Sequence, residues 1–265
     1  MIRSTALVGG VSPRAPILAY LRLELRRRLR DRRYLVLSAA FPVVIYLVYT
    51  GVITSKTGPQ PDIAGMPWSA YFMVSMATYG VIGAALTWAV NISVERNGGW
   101  VRQLRTTPLP PVGYVLVKVL VTLITTIPAI VCVGLAGRII NDVQLGAAQW
   151  LSLALVLAVG SLPFAALAVM LGYLLRPESA QPVSMLLFFA VSLLGGLFAP
   201  IDVLPDAVAT IGRMLPSYRL GSLGWQVLAG TPLDLSDVAV LAGWAALFGA
   251  VAVMCYRTDA QRPAA

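Results

Sequence analysis

The chain has no histidine and only two cysteines, Cys132 and Cys255, in 265 residues. A Ser-His-Asp triad and a His/Cys metal site are thereby excluded by inventory. Charge is scarce as well. Only 12% of residues are Asp, Glu, Lys or Arg, where a soluble domain carries roughly 25%. There is no Gly-x-x-x-x-Gly-Lys-Ser/Thr segment, so the chain cannot hold ATP phosphates in the P-loop manner. What is present is apolar: 58% of the residues, with a mean hydropathy of +0.80. Uncharged runs recur at the length of about 20 residues that a helix needs to cross a bilayer. The composition is that of a polytopic helical membrane protein.

Six spans are predicted, near Tyr34–Ile53, Ser69–Ile92, Val112–Gly137, Trp150–Leu174, Pro182–Phe198 and Val238–Tyr256. Hydrocarbon leaves an isolated span no backbone solution other than a helix, so the expected fold is an all-α integral membrane protein formed as one unit over residues 1–265. The basic residues orient it. With both termini in the cytoplasm, sixteen Lys and Arg fall on the inner side and four, Lys56, Arg138, Arg213 and Arg219, on the outer. That is a strong positive-inside bias. The two cysteines then lie near opposite faces, and no disulfide is expected. The first apolar run has no small-residue cleavage site behind it, so it is expected to remain as an anchor.

The net charge of +9 is concentrated in "LRLELRRRLRDRRY", residues 21–34, which holds seven of the twenty basic residues. Because this cluster runs straight into an apolar span, it reads as a topogenic signal and not as a nucleic-acid arm. Ile17, Leu18, Leu21, Leu25 and Leu29 recur at helical spacing over residues 14–33, with Arg22, Arg26, Arg30 and Arg33 on another face. The expected element is an amphipathic basic helix lying in the inner headgroup layer. A second irregular stretch, residues 199–236, is apolar yet broken by Pro200, Pro205 and Pro216. It also carries Asp202, Asp206, Arg213 and Arg219. Short helices that re-enter the outer leaflet against protein are predicted there, with Tyr218 and Trp225 at interfacial depth.

Between spans two and three, residues 93–111 include "ERNGGWVRQLRTTPLPP". Val94, Val101 and Leu104 alternate with Glu95, Arg96, Arg102 and Arg105 in a short amphipathic pattern. Prolines that cannot continue a helix end it. The segment is either a rigid protrusion that passes force to a partner or a charged loop anchoring two helix ends.

The longer stretch "ERNGGWVRQLRTTPLPPVGYVLVKVL" resembles the signature of ABC-2 type transporter permeases. The matching positions are Glu95, Arg96, Gly98, Leu104 to Leu109 and Lys118. "ERNGGW" departs from the family pattern, which runs closer to Glu-Arg-Glu-x-Gly-Thr. "RRRLRDRRYLVLSAAFPVVIYLVY" resembles the family's connecting helix entering span one, and "LFAPIDVLPDAVATIGRMLPSYRL" its outer re-entrant segment. The resemblance implies that residues 93–111 are a coupling helix seated on a separate ATP-binding subunit. Two copies of that subunit would hold ATP and magnesium, and this chain would bind no cofactor. Glu95, Arg96, Gly98, Arg102, Leu104, Arg105, Thr106, Thr107 and Pro108 are the implied contact residues. It implies further a dimer with itself or a similar permease, a bacterial cell membrane, and export of a hydrophobic or amphipathic small molecule such as a drug, antibiotic or lipid.

Candidate pathway residues are Tyr71, Ser75 and Tyr79, which share one face of span two at intervals of four, and Met185, Phe188 and Phe189 on span five. A flexible thioether and aromatic lining suits an amphipathic cargo, although such residues also serve as helix-packing material. Thr122, Thr125 and Thr126 form a polar patch on span three. No ionisable residue is expected deep inside a span, since Lys118 falls near the inner end of span three. An ion-coupled carrier commonly places carboxylates at mid-membrane, so that alternative, like an intramembrane enzyme or an assembly factor, is the weaker reading.

Overall fold

Runs of Leu, Val, Ala and Ile with almost no charge dictate helices, and helices dominate. The computed structural model describes residues 14–57, 62, 63, 65–100, 103, 107 and 111–261. Its helices are α1 (Arg14–Arg30), α2 (Arg32–Thr57), α3 (Trp68–Asn97), α4 (Pro111–Ile140), α5 (Ala147–Gly160), α6 (Leu162–Leu174), α7 (Pro177–Leu194), α8 (Asp206–Met214), α9 (Pro216–Ala229) and α10 (Leu235–Gln261). One departure from the all-α expectation is a minimal antiparallel hairpin between α2 and α3. It pairs β1 (Asp62–Ile63) with β2 (Met66–Pro67).

Among the described residues, five helical stretches are long and apolar enough to cross a membrane: Trp68–Asn97, Gly113–Ile140, Ala147–Leu174, Pro177–Leu194 and Leu235–Thr258. The first expected span falls on α2, whose apolar part, Ser38–Val52, is shorter than these five. The expected fourth span is not one straight helix. It breaks at Ser161, whose hydroxyl donates to the Ala158 carbonyl at 2.6 Å. Pro163 then starts α6 with no N–H to continue the ladder.

Helix α3 is the centre of the bundle. It packs against α2, α4, α6, α7 and α9, and 83% of its apolar window is buried, against 17% for α7 and 11% for α10. The α3–α6 contact is close enough to require a missing side chain. A Cβ on Gly172 would lie 2.6 Å from Ile92 Cβ. Helices α7 and α10 leave Leu186, Leu193, Leu247 and Met254 exposed, the pattern of faces that meet hydrocarbon or another chain.

Between α7 and α10 three of the four prolines start an element. Pro200 precedes the 3₁₀ turn Ile201–Val203, Pro205 precedes α8, and Pro216 opens α9. Proline at a helix start loses nothing, since its N–H would be unpaired there. α9 turns inward against α3. Trp225 is buried there. Its ring stacks on Tyr71 at 4.5 Å and its indole N–H donates to the Tyr71 carbonyl at 3.2 Å. Both cysteines are free thiols.

Candidate functional site: a buried charge cluster where α1 meets α3 and α4

Helix α1 meets the bundle along one face, where Ile17, Leu21 and Leu25 pack against the core. Leu18 and Leu29 are exposed, and the buried positions are Tyr20 and Glu24, one turn apart. Glu24 is the only acid among residues 14–30, and Lys118 is the only charge in residues 111–137. The fold brings them together. Lys118 Nζ lies 3.0 Å from Glu24 Oε1 and 2.7 Å from Glu95 Oε2. Arg27 adds a second positive charge, 3.5 Å from Glu95 Oε1. Two acids and two bases thus balance.

The surroundings are dry and aromatic. Lys118 is fully buried, and its ammonium stands 5.1 Å from the Trp88 ring, 5.4 Å from Tyr114 and 5.9 Å from Tyr20. Tyr20 donates its hydroxyl to Glu24 at 3.0 Å and Tyr114 to Glu95 at 3.4 Å. Burial, with the Glu24 and Glu95 charges beside it, holds the Tyr20 phenol well above its usual pKa. An ammonium taken out of water is tolerated only when paired and hydrogen-bonded, and here aromatic faces complete its shell. Arg28 covers the Trp88 ring from the α1 side at 4.1 Å. The cluster is a latch: α1 cannot leave α3 and α4 without stranding buried charge.

The same end of α3 holds α6. Arg96 donates to the Tyr173 and Leu175 carbonyls, the latter at 3.0 Å, and the Ser93 hydroxyl donates to Leu175 at 2.8 Å. These carbonyls end α6, where helix geometry leaves acceptors unpaired and partial negative charge gathers.

The expected coupling segment is therefore divided. α3 runs unbroken through Asn97, so Glu95 and Arg96 sit on its last turn, with side chains engaged inside the chain's own bundle. The stop comes at Gly98–Gly99, where Gly99 takes φ +77, a conformation that favours glycine. Trp100 and Gln103 are helical, and the Gln103 amide donates to Gly99 at 3.1 Å. Thr107 lies exposed in a turn. Arg102, Leu104, Arg105, Thr106 and Pro108 lie outside the described residues.

The pathway candidates separate in the same manner. Tyr71 lies under Trp225, and Ser75 donates to its own helix at Tyr71 O, 3.1 Å; neither lines the cavity between α2, α3 and α7. Tyr79, Met185, Phe188 and Phe189 do. They line a cavity of about 530 Å³ between α2, α3 and α7, with no charged side chain in its wall. Two of its wall hydroxyls, Tyr79 Oη and Ser184 Oγ, are buried without a hydrogen-bond partner. Thr122, Thr125 and Thr126 satisfy themselves on α4 carbonyls, and Thr125 also accepts the Trp88 N–H at 3.3 Å.

Residues 16–222 match the family model described as "ABC-2 type transporter". The chain belongs to the ABC-2 type transporter family. It is also 30% identical over 226 residues to the Bacillus subtilis (strain 168) protein named "Putative transport permease YvfS", across 85% of this chain and 90% of that protein. The ABC-2 type match runs from α1 into the first half of α9. The charge cluster, the α6 cap and the cavity all fall inside it, and α10 lies beyond.

Sequence reasoning assigned no role to Tyr20, Glu24, Arg27 or Trp88, and marked Lys118 only as a position of the family signature. The available signal was the solitary acid in α1 and the solitary base in α4, each too costly to leave unpaired in such surroundings.

Proposed function

We propose that this ABC-2 type chain is the membrane-spanning subunit of an ATP-driven exporter, with the loop after α3 as its contact to a separate ATP-binding subunit. The observation that carries this reading is how that loop is rooted. The residues on the last turn of α3 just before it, Glu95 and Arg96, are bound to α4, α1 and α6 at once. A push on the loop is thereby delivered to three other helices rather than absorbed by a flexible link. Glu95, Arg96 and Gly98 then set the loop's base, and Arg102, Leu104, Arg105, Thr106, Thr107 and Pro108 form the contact. ATP and magnesium stay on the partner, present in two copies. The chain pairs with itself or a similar permease, α2 serves as a sixth span, and both termini face the cytoplasm of a bacterial cell.

The cargo reading rests on the cavity between α2, α3 and α7. Its wall joins Met185, Phe188 and Phe189 to Tyr79 and carries no charge. Such an adaptable, aromatic lining suits a hydrophobic or amphipathic small molecule, a drug, antibiotic or lipid. An ion-coupled carrier gains nothing from the buried carboxylates, because Glu24 and Glu95 are already balanced by Lys118 and Arg27.

The test is purification of the tagged chain from native membranes in mild detergent, with mass spectrometry of what accompanies it. A stoichiometric P-loop ATPase is expected. Arg105→Ala is then expected to leave that complex assembled while ATP hydrolysis no longer drives transport. A stable preparation with no ATPase would overturn the reading, and normal transport by the variant would remove Arg105 from the contact.

A further inference from the structure

A second cavity lies in the other half of the bundle, away from the charge cluster. It has a volume of about 350 Å³ and sits where the α5–α6 break, α9 and the start of α10 diverge. Its wall is wholly apolar and includes Val159, Pro163, Leu223, Val238, Leu241 and Ala245. The break at Ser161 makes the space. Gly160 lets Leu220 approach within 2.5 Å of where a Cβ would stand, while the space beside Val159, Leu162 and Pro163 stays unfilled.

Three features define the occupant. Leu155, Val159, Leu162, Leu233 and Val238 line the cavity and are also exposed, so it opens sideways on faces that meet hydrocarbon in a membrane-spanning chain. Along α10 it extends from Val238 to Ala245, about 10 Å at 1.5 Å per residue, which is most of one leaflet's hydrocarbon depth. Its rim at the end of α9 and start of α10 is polar and carries both signs of charge. Arg219 pairs with Asp237 at 2.6 Å, Gln226 donates to Asp237 at 2.9 Å, and Asp234 stands exposed beside Leu233 with Ser236 as its hydrogen-bond donor.

We propose that this cavity is a binding site for one phospholipid of the leaflet opposite the charge cluster. An acyl chain lies between α5, α6, α9 and α10, and a zwitterionic headgroup lies at the Asp234–Arg219 rim. An apolar cavity of about 150 Å³ already binds a benzene-sized molecule, so this one accommodates a substantial length of acyl chain. The lipid fills a wedge that the helix break would otherwise leave void, and it fixes α9 against α10. The site is separate from the cargo cavity, which lies between α2, α3 and α7.

The chain, reconstituted into palmitoyl-oleoyl phosphatidylethanolamine vesicles and re-extracted in mild detergent, is examined by native mass spectrometry. One retained phospholipid per chain is expected. Ala242→Trp, which fills the cavity from its α10 wall, should cut retention by about tenfold, since each methylene displaced from an apolar site matters strongly. Leu247→Trp, on the exposed face of α10 outside the cavity, should leave retention unchanged. Ala245→Phe serves as a second filling variant should Ala242→Trp fail to fold. Absence of a retained lipid, or equal retention in wild type and a folded filling variant, would overturn the site. Equal loss in Leu247→Trp would show annular lipid only and overturn it as well.

Discussion

The two ends of α3 are fastened by different chemistry. At one end Glu95 and Arg96 reach charged and carbonyl partners on α1, α4 and α6. At the other, Tyr71 stacks with Trp225 of α9 and Phe72 with Tyr49 of α2, and the Trp225 indole N–H donates to a carbonyl. The charged end is expensive to open because a separated ion in a dry site has nothing to replace its partner. The aromatic end gains from area and dispersion, which fall off gradually as rings slide. A permease whose proposed drive enters through the loop after α3 would need its rigid joint at that end. The yielding contact belongs at the far one.

The sharpest break in this contrast is Lys118→Met. It removes the central cation and leaves Glu24 and Glu95 buried side by side, so stability should fall by about 3–5 kcal/mol, measured by unfolding in mixed detergent micelles. Adding Glu24→Gln and Glu95→Gln to Lys118→Met should restore at least half of the loss, because no buried charge then remains unbalanced and the Arg27 left behind is exposed. A loss below about 1 kcal/mol for Lys118→Met alone, the range of an exposed pair, would show that water reaches the cluster.

Arg96→Met is the next smaller break. It uncaps the Tyr173 and Leu175 carbonyls but leaves no buried ion behind, so the expected loss is about 1–2 kcal/mol. Because Arg96 ties the start of the loop to α6, the same variant should raise the rate of protease cleavage within residues 98–110 of the folded protein. Unchanged cleavage would mean that Glu95 and Lys118 hold the loop without help from α6.

What the sequence disclosed follows from the range of the interactions involved. Local signals were legible. The basic helix over residues 14–33 appears as α1, Arg14–Arg30, and Pro200, Pro205 and Pro216 mark the starts of short helices because a proline's constraint acts within its own turn. The partner of α1 was not legible. Ile17, Leu21 and Leu25 of its periodic set do face the core, but the contact that fixes the helix joins Glu24 to Lys118, 94 residues away. A pairing of that range leaves no periodic trace, only two isolated charges in stretches that otherwise have none. The end of α3 was misplaced for a related reason. Polarity begins near Ser93, but the backbone stops at Gly98–Gly99, so Glu95 and Arg96 belong to the span and not to the loop. Of the six pathway candidates, Tyr79, Met185, Phe188 and Phe189 meet at one cavity. Tyr71 and Ser75 do not line it; Tyr71 is covered by Trp225 of α9, whose inward turn depends on packing that no single-helix pattern contains.

The mildest break concerns that covering. Trp225→Phe keeps an aromatic ring to stack on Tyr71 and deletes the N–H donated to the Tyr71 carbonyl. That carbonyl already accepts the Ser75 hydroxyl at 3.1 Å, so it is not orphaned by the change. Side-chain hydrogen bonds between membrane helices average about 0.6 kcal/mol, and the expected loss for Trp225→Phe is of that size. It would be several-fold smaller than for Lys118→Met in the same micelles. A loss matching that of Lys118→Met would mean that the far end is as rigidly held as the charged end. The contrast between a joint and a yielding contact would then give way to a uniformly braced α3.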